Sequence, residues 1–198
     1  MNKAEEYFHN ALQYEQNGNY INAIQYYNKS IELQPKENAY LRLAAVYRII
    51  RDYNNALSNF KKALNINNDS VYANMGIGCV YNDNGYYHKA IEYFNNAIRL
   101  IKDKGIEDEH KNLQNAYYNL GLSYFLLGEY NKSIENFDEA LKLNEEDYET
   151  YNDKGNAYYK QGYFDKAIES YKKALSINPN FENAKYNLER TKNALKEI

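Results

Sequence analysis

Three histidines, one cysteine and a scatter of carboxylates are the groups in this 198-residue chain whose types could do chemistry. His9, His88 and His110 occupy three different sequence contexts, and none has a second ligand at helical spacing. Asp108, Glu109 and His110 form a run that could touch a metal, but a charged extension accounts for it without one. The stretch "MGIGCV", Met75–Val80, contains a Gly-x-Gly. Its surroundings have helical periodicity, whereas a phosphate loop follows a strand and opens a helix. Cys79 has no paired histidine or positive cluster to lower its pKa, which favours a buried or groove-lining thiol over a nucleophile. As a lone cysteine it also excludes an internal disulfide and any cysteine-cluster metal site. Glu145, Glu146 and Asp147 precede a helix start and suit its dipole. No catalytic set, metal site or cofactor site emerges, so the expectation is a protein that is not an enzyme.

Composition narrows the remaining classes. A net charge of −3 against 24 basic and 27 acidic residues gives no electrostatic case for nucleic acid. The opening "MNKAEEYFHNALQYEQNGNY" carries acids where a signal peptide needs an apolar run, and no stretch has the apolar length of a membrane span. These features predict a cytoplasmic chain with neither membrane nor nucleic acid as partner. Tyrosine is in excess at 24 residues, tryptophan is absent, and two prolines among evenly spread alanine and charge favour helix.

One sentence is written five times. "GNYINAIQYYNKSI", "RDYNNALSNFKKAL", "GYYHKAIEYFNNAI", "GEYNKSIENFDEAL" and "GYFDKAIESYKKAL" align on Ala23, Ala56, Ala90, Ser133 and Ala167, at steps of 33, 34, 43 and 34 residues. Small residues recur seven places later (Ser30, Ala63, Ala97, Ala140, Ala174) and twelve earlier (Ala11, Ala44, Gly78, Gly121, Gly155). Small side chains at fixed places let helices cross closely. Aromatic columns fill the gaps: Tyr14, Tyr47, Tyr81, Tyr124, Tyr158; Tyr20, Tyr53, Tyr87, Tyr130, Phe164; Tyr27, Phe60, Phe94, Phe137, Tyr171; and Tyr7, Tyr40, Tyr117, Tyr151, broken only by Asn74. The tyrosine excess is therefore mainly framework. Ala167, Ile168, Tyr171, Ala174 and Leu175 share one helical face, and Gly162, like Gly18, Gly85 and Gly128, sits where a positive φ ends the preceding helix. Each unit reads as a helix–turn–helix hairpin too small to bury its apolar face alone.

The period, the Gly/Ala–Tyr pair, the turn glycine and the Ala–aromatic–Ala run resemble the tetratricopeptide repeat (TPR) family. Closing prolines appear at Pro35 and Pro179; tyrosine replaces the usual tryptophan, and three repeats lack the closing proline. The resemblance implies an all-α fold, a right-handed superhelical α-solenoid of five repeats plus a C-terminal capping helix. It spans residues 1–198 as a single TPR-like domain, with repeats at about 4–36, 37–70, 71–104, 114–147 and 148–181. A capping helix at about 182–197 would bury Ala184, Leu188, Thr191 and Leu195 on repeat five. The insertion at about 105–113 is expected to lengthen a neighbouring helix as a solvated extension, with a contact beside the groove as its functional alternative. The first repeat has no equivalent cap.

In the resembled family the first helices line a concave groove for peptides or partner helices. The unrepeated first-helix positions implied here are Phe8 and Leu12; Leu41, Ala45, Arg48 and Ile49; Tyr72 and Met75; Tyr118, Leu122 and Phe125; and Asn152, Asn156 and Tyr159. The wall is apolar towards the N-terminus, where Arg48 would anchor a partner carboxylate. It turns to asparagine towards the C-terminus, where amides would meet a peptide backbone. Chaperone-binding members use a carboxylate clamp that opens with Lys and Asn four apart. Those places here hold Phe8/Leu12, Leu41/Ala45, Met75/Cys79, Tyr118/Leu122 and Asn152/Asn156, so that clamp is not expected. The reading is a non-enzymatic adaptor or scaffold binding a protein or peptide ligand in the groove. The alternative is a homo-oligomer assembled through Phe8 and Leu12 of the uncapped first repeat.

Overall fold

A computed structural model describes residues 2–104 and 109–196, and those residues contain eleven α-helices and no strand. The helices are α1 (Lys3–Gln16), α2 (Tyr20–Leu33), α3 (Glu37–Ile49), α4 (Tyr53–Ile66), α5 (Val71–Asp83), α6 (Tyr87–Lys104), α7 (Glu109–Leu127), α8 (Tyr130–Leu143), α9 (Tyr148–Lys160), α10 (Phe164–Ile177) and α11 (Glu182–Lys196). They pair as successive hairpins and divide into two compact units, Met1–Leu100 and Ile101–Ile198.

Five helix starts are capped by short polar side chains. Asn2, Asn19, Asp52, Ser70 and Asp147 each accept a hydrogen bond from the backbone N–H three residues on. Helix ends are set at the hairpin turns, where Gly18, Gly85, Gly128 and Gly162 have φ of 70–85°. In the second hairpin Arg51 takes this place at φ 62°. A side chain there costs about 1–2 kcal/mol in the left-handed region. Glycine would relieve that while losing about 0.4–1 kcal/mol through its freer unfolded chain. Arg51→Gly is therefore expected to raise stability by about 0.5–1 kcal/mol in urea unfolding; an unchanged midpoint would refute the strain.

The core is the small-residue and aromatic grid. Tyr27, Phe94, Phe137 and Tyr171 are wholly buried and Phe60 nearly so. Each lies sixteen residues after a small partner: Ala11, Ala44, Gly78, Gly121 or Gly155. The three glycines are needed because a Cβ at Gly78, Gly121 or Gly155 would sit 2.6–2.7 Å from a ring atom of Phe94, Phe137 or Tyr171. The two tyrosines of this column have partners for their hydroxyls: Tyr27 donates to Glu15, and Tyr171 to Asn156 at 2.9 Å. Ser30 replaces alanine in its column because its hydroxyl donates to the Ala4 carbonyl at 2.8 Å.

Three rings of the fourth aromatic column have a lysine partner at one place in the second helices, whereas Tyr117 is covered by Lys102 of α6. Lys29, Lys62 and Lys173 lie over the rings of Tyr7, Tyr40 and Tyr151 at 5.7–5.8 Å, each 22 residues later in the chain. Where Asn74 breaks the column the partner changes too, and Asn96 Nδ2 donates to Asn74 Oδ1 at 2.8 Å.

Two expectations are corrected. Ala184, Leu188 and Thr191 are buried as a cap should be, but the buried stripe ends there and Leu195 in the last turn is 40 % exposed. The insertion is not simply a solvated extension. Both α6 and α7 are lengthened, to 18 and 19 residues against 13–15 elsewhere. Ile101 and Leu113 in the extra turns are buried and pack inward, with Asn112 buried beside them. Asp108 and the expected extension at 105–108 lie outside the described residues.

Candidate functional site

In the first unit the first helices α1, α3 and α5 surround an open cleft of about 620 Å³. Helical spacing brings the expected residues together: Phe8 and Leu12 from α1, Leu41, Ala45 and Arg48 from α3, and Tyr72 and Met75 from α5. Ile49 is not among the lining residues; it points away at 50 % exposure. Phe8 and Leu12, offered by the sequence as groove lining and alternatively as a self-association surface, pack on the Ala11–Tyr27–Leu43 core and face the cleft.

Three lining residues were not foreseen, Arg42, Gly76 and the framework ring Phe60. A Cβ at Gly76 would fall 2.3 Å from the Phe60 ring, so the bare glycine lets that ring reach the floor. Burial pushes the thiol of Cys79, also on the wall, above the usual cysteine range, against the pull of the nearby Arg48 guanidinium. Both arginines are engaged. Arg42 lies 3.6 Å from Glu15, and Arg48 Nη1 donates to Asp83 Oδ2 at 3.0 Å. A partner carboxylate at Arg48 would have to compete with Asp83.

The second unit arranges its expected residues differently. Tyr118 donates to Asp153 Oδ2 at 2.9 Å, and the amides of Asn152 and Asn156 donate to Asp153 Oδ1 at 3.2 and 3.3 Å. Asn187 of α11 donates to Asn152 Oδ1 at 3.0 Å, and Tyr171 of α10 to Asn156 Oδ1 at 2.9 Å. Asn152 is buried and Asn156 half-buried. The asparagines expected to bind a peptide backbone are thus spent on an internal network, a correction that follows from Asp153 claiming their donors. Asp153 retains some residue exposure while its carboxylate is largely withdrawn from water. Burial raises its pKa, and the three donated hydrogen bonds lower it only in part. Burial, followed by the charge of Asp153, likewise pushes the Tyr118 hydroxyl up. Elsewhere, Phe125 packs on Tyr130 at 5.6 Å, Arg190 stacks on Tyr159 at 4.4 Å, and Leu122 is half-buried.

Asp153, Arg42 and Gly76 share one column of the repeat with His9 and Asn119. Five different residues at one place is the sequence signal that marks it. The three histidines are exposed. Among the described residues no group of three or more His, Cys, Asp or Glu could hold a metal ion, and no helix is long and apolar enough to cross a membrane.

Repeated helical hairpins with first helices lining a cleft define an α-solenoid class of repeat protein, built for contact with other proteins. Tetratricopeptide repeat profiles match residues 4–37, 37–70, 71–104, 115–147 and 148–181, and the chain belongs to that family. A TPR repeat-containing protein of Methanocaldococcus jannaschii is 30 % identical over 155 residues, covering 74 % of this chain and 25 % of the relative. Tetratricopeptide repeat protein 13 of Homo sapiens is 30 % identical over 95 residues, covering 48 % of this chain and 11 % of its own length. The chain thus spans a quarter or less of these relatives. Among solved structures, MamA aligns with a TM-score of 0.72 at 27 % identity, covering 92 % of this chain and 94 % of that one. YrrB, described as a TPR protein with an unusual peptide-binding site, aligns at 0.66 and 26 % identity, covering 86 % and 84 %. The fold and these neighbours make the chain a protein-interaction repeat scaffold.

Proposed function

We propose that the chain is a non-enzymatic adaptor, acting as one interaction domain, and that the cleft of its first unit takes the apolar face of a partner peptide or amphipathic helix. The observation that carries this is the cleft itself, whose wall is Phe8, Leu12, Leu41, Ala45, Tyr72 and Met75. Partly exposed apolar side chains gain about 25 cal/mol per Å² when covered, and a helix laid along the wall would cover several. The named peptide-binding site of YrrB supports the same use of a related fold. Apolar residues at the clamp positions point to recognition by shape and burial rather than by a terminal carboxylate. The asparagines of the second unit hold that unit together and take no part in this contact.

Panning a random peptide library against the chain is expected to select apolar, helix-forming sequences. Leu41→Glu and Met75→Glu should weaken the selected peptides at least about ten-fold in fluorescence anisotropy, since each buries a charge against an apolar face. Lys61→Glu, exposed on α4 and not part of the cleft lining, should leave them unchanged. Equal affinity of all three folded variants would remove the cleft as the binding site.

A further inference from the structure

The second unit carries two adjoining clefts of opposite charge, separated by one helix. Between α9 and α10 a cleft of about 630 Å³ gathers Lys154, Lys166, Lys172 and Lys173 around Tyr151 and Tyr158, with Glu169 as the acid in its lining. Between α8 and α9 a cleft of about 510 Å³ gathers Glu135, Asp138, Glu139 and Glu145; Lys142 pairs with Glu139 and Lys154 with Asp138, so the acid in excess is Glu135 and Glu145. Tyr151 and Lys154 of α9 line both.

The basic cleft keeps its charge. Lys154 is paired with Asp138, but among the described residues no carboxylate pairs with Lys166, Lys172 or Lys173. Lys166 instead sits over the rings of Tyr158 and Tyr163 at 5.5 and 5.3 Å, and Lys173 over Tyr151 at 5.8 Å. A ring quadrupole holds an ammonium in place without neutralising it. The result is a positive field fixed in a concavity, carried by three lysines that no carboxylate pairs among the described residues. A nucleic acid or an anionic membrane laid there would meet the acidic cleft alongside. A protein surface carrying the same two charges in reversed order would not.

We infer that this surface is an interface between two copies of the chain, related by a two-fold axis through the Tyr151–Lys154 stripe of α9. A two-fold contact must be self-complementary: whatever lies on one side of the axis meets what lies on the other. Here the acidic face of α8 meets the basic cleft of α10 in the partner, and the reverse contact forms at once. The juxtaposition of the two clefts about a shared helix carries this inference, and it does not rest on the cleft of the first unit. Exposed ion pairs each contribute little, so the dimer is weak, reversible and sensitive to salt.

Sedimentation velocity of the full chain tests it. At about 50 mM NaCl a monomer–dimer equilibrium is expected, and at about 500 mM its dissociation constant should rise at least about ten-fold as the charges are screened. Lys172→Glu with Lys173→Glu should give a monomer, and so should Glu135→Lys with Glu139→Lys. Mixing these two variants should restore a one-to-one heterodimer, because both contacts become attractive again. Phe8→Asp should leave the dimer intact. Where a charge-reversed variant loses its helical circular dichroism, the neutral pairs K172Q/K173Q and E135Q/E139Q replace it, with association weakened in each. A monomeric wild type at every concentration would overturn the inference, as would species larger than a dimer, loss in one variant only, or a mixture that fails to associate. Salt-sensitive retention of a single-stranded oligonucleotide by a monomeric wild type would assign the lysines to nucleic acid and overturn it too.

Discussion

Phe137→Ala lowers the stability of the chain by about 3–5 kcal/mol, because a wholly buried ring leaves both its transfer energy and a cavity behind. Gly121→Ala, the addition of one methyl group, costs about 1–3 kcal/mol by overpacking, since its Cβ would sit 2.7 Å from the Phe137 ring and 3.2 Å from the Ser133 carbonyl oxygen. The two changes occupy the same space, so they cannot add. In the double variant the new methyl enters the volume the ring has vacated, and the total loss should fall short of the sum by about 1–2 kcal/mol. Urea unfolding of the four proteins measures the cycle. Strict additivity would show that the ring moves aside rather than clashing.

Asp153→Asn should change how stability depends on pH. Burial raises the folded-state pKa of Asp153 above its unfolded value, so the folded chain holds that proton more tightly. The resulting stabilisation is complete below the ordinary aspartate pKa of about 4 and is lost as pH rises through the raised value. Asparagine does not titrate and can keep the geometry. Its oxygen accepts from Asn152 and Asn156, and its NH₂ donates to a Tyr118 hydroxyl that has reversed its sense. The variant should therefore gain on the wild type as pH climbs from about 4 through the raised pKa, with the difference level above it. Urea melts of both proteins across that range give the difference directly; a gap that stays constant with pH would assign Asp153 an ordinary carboxyl.

Both predictions bear on what could be read before any coordinates. The Gly121–Phe137 contact was legible because it is written five times: a small residue followed sixteen places later by a ring is visible as a column. Helix pairing, turn glycines and the cap face through Thr191 follow from the same periodicity. Asp153 was not legible in this way. Its partners lie on two helices, α7 and α9, Tyr118 is 35 residues away, and no other repeat places an acid in that position. Periodic reasoning finds what repeats, whereas the network depends on a residue that does not. For the same reason Asn152 and Asn156 were read as groove-lining amides: spacing gave their helix face but not the carboxylate that occupies them. In the first unit the expected lining largely came together, because packing one apolar face against the next is local. Arg42 and Gly76 escaped because they lie in the column that periodicity discounts, and Phe60 because its column had already been assigned to the framework.

A chain that repeats one hairpin five times can fold wrongly against itself, or against another chain, by joining a first helix to the second helix of a different repeat. The third repeat resists that exchange. Asn74 is 1 % exposed and matched to Asn96, whereas its counterparts Tyr7, Tyr40 and Tyr151 are half-buried and matched to lysines. A tyrosine forced into the asparagine slot would find neither room nor cation, and Asn74 placed elsewhere would lose its amide partner. The one broken letter of the column acts as an address label: it lets the middle hairpin recognise its own other half during folding, when the remaining copies look almost alike.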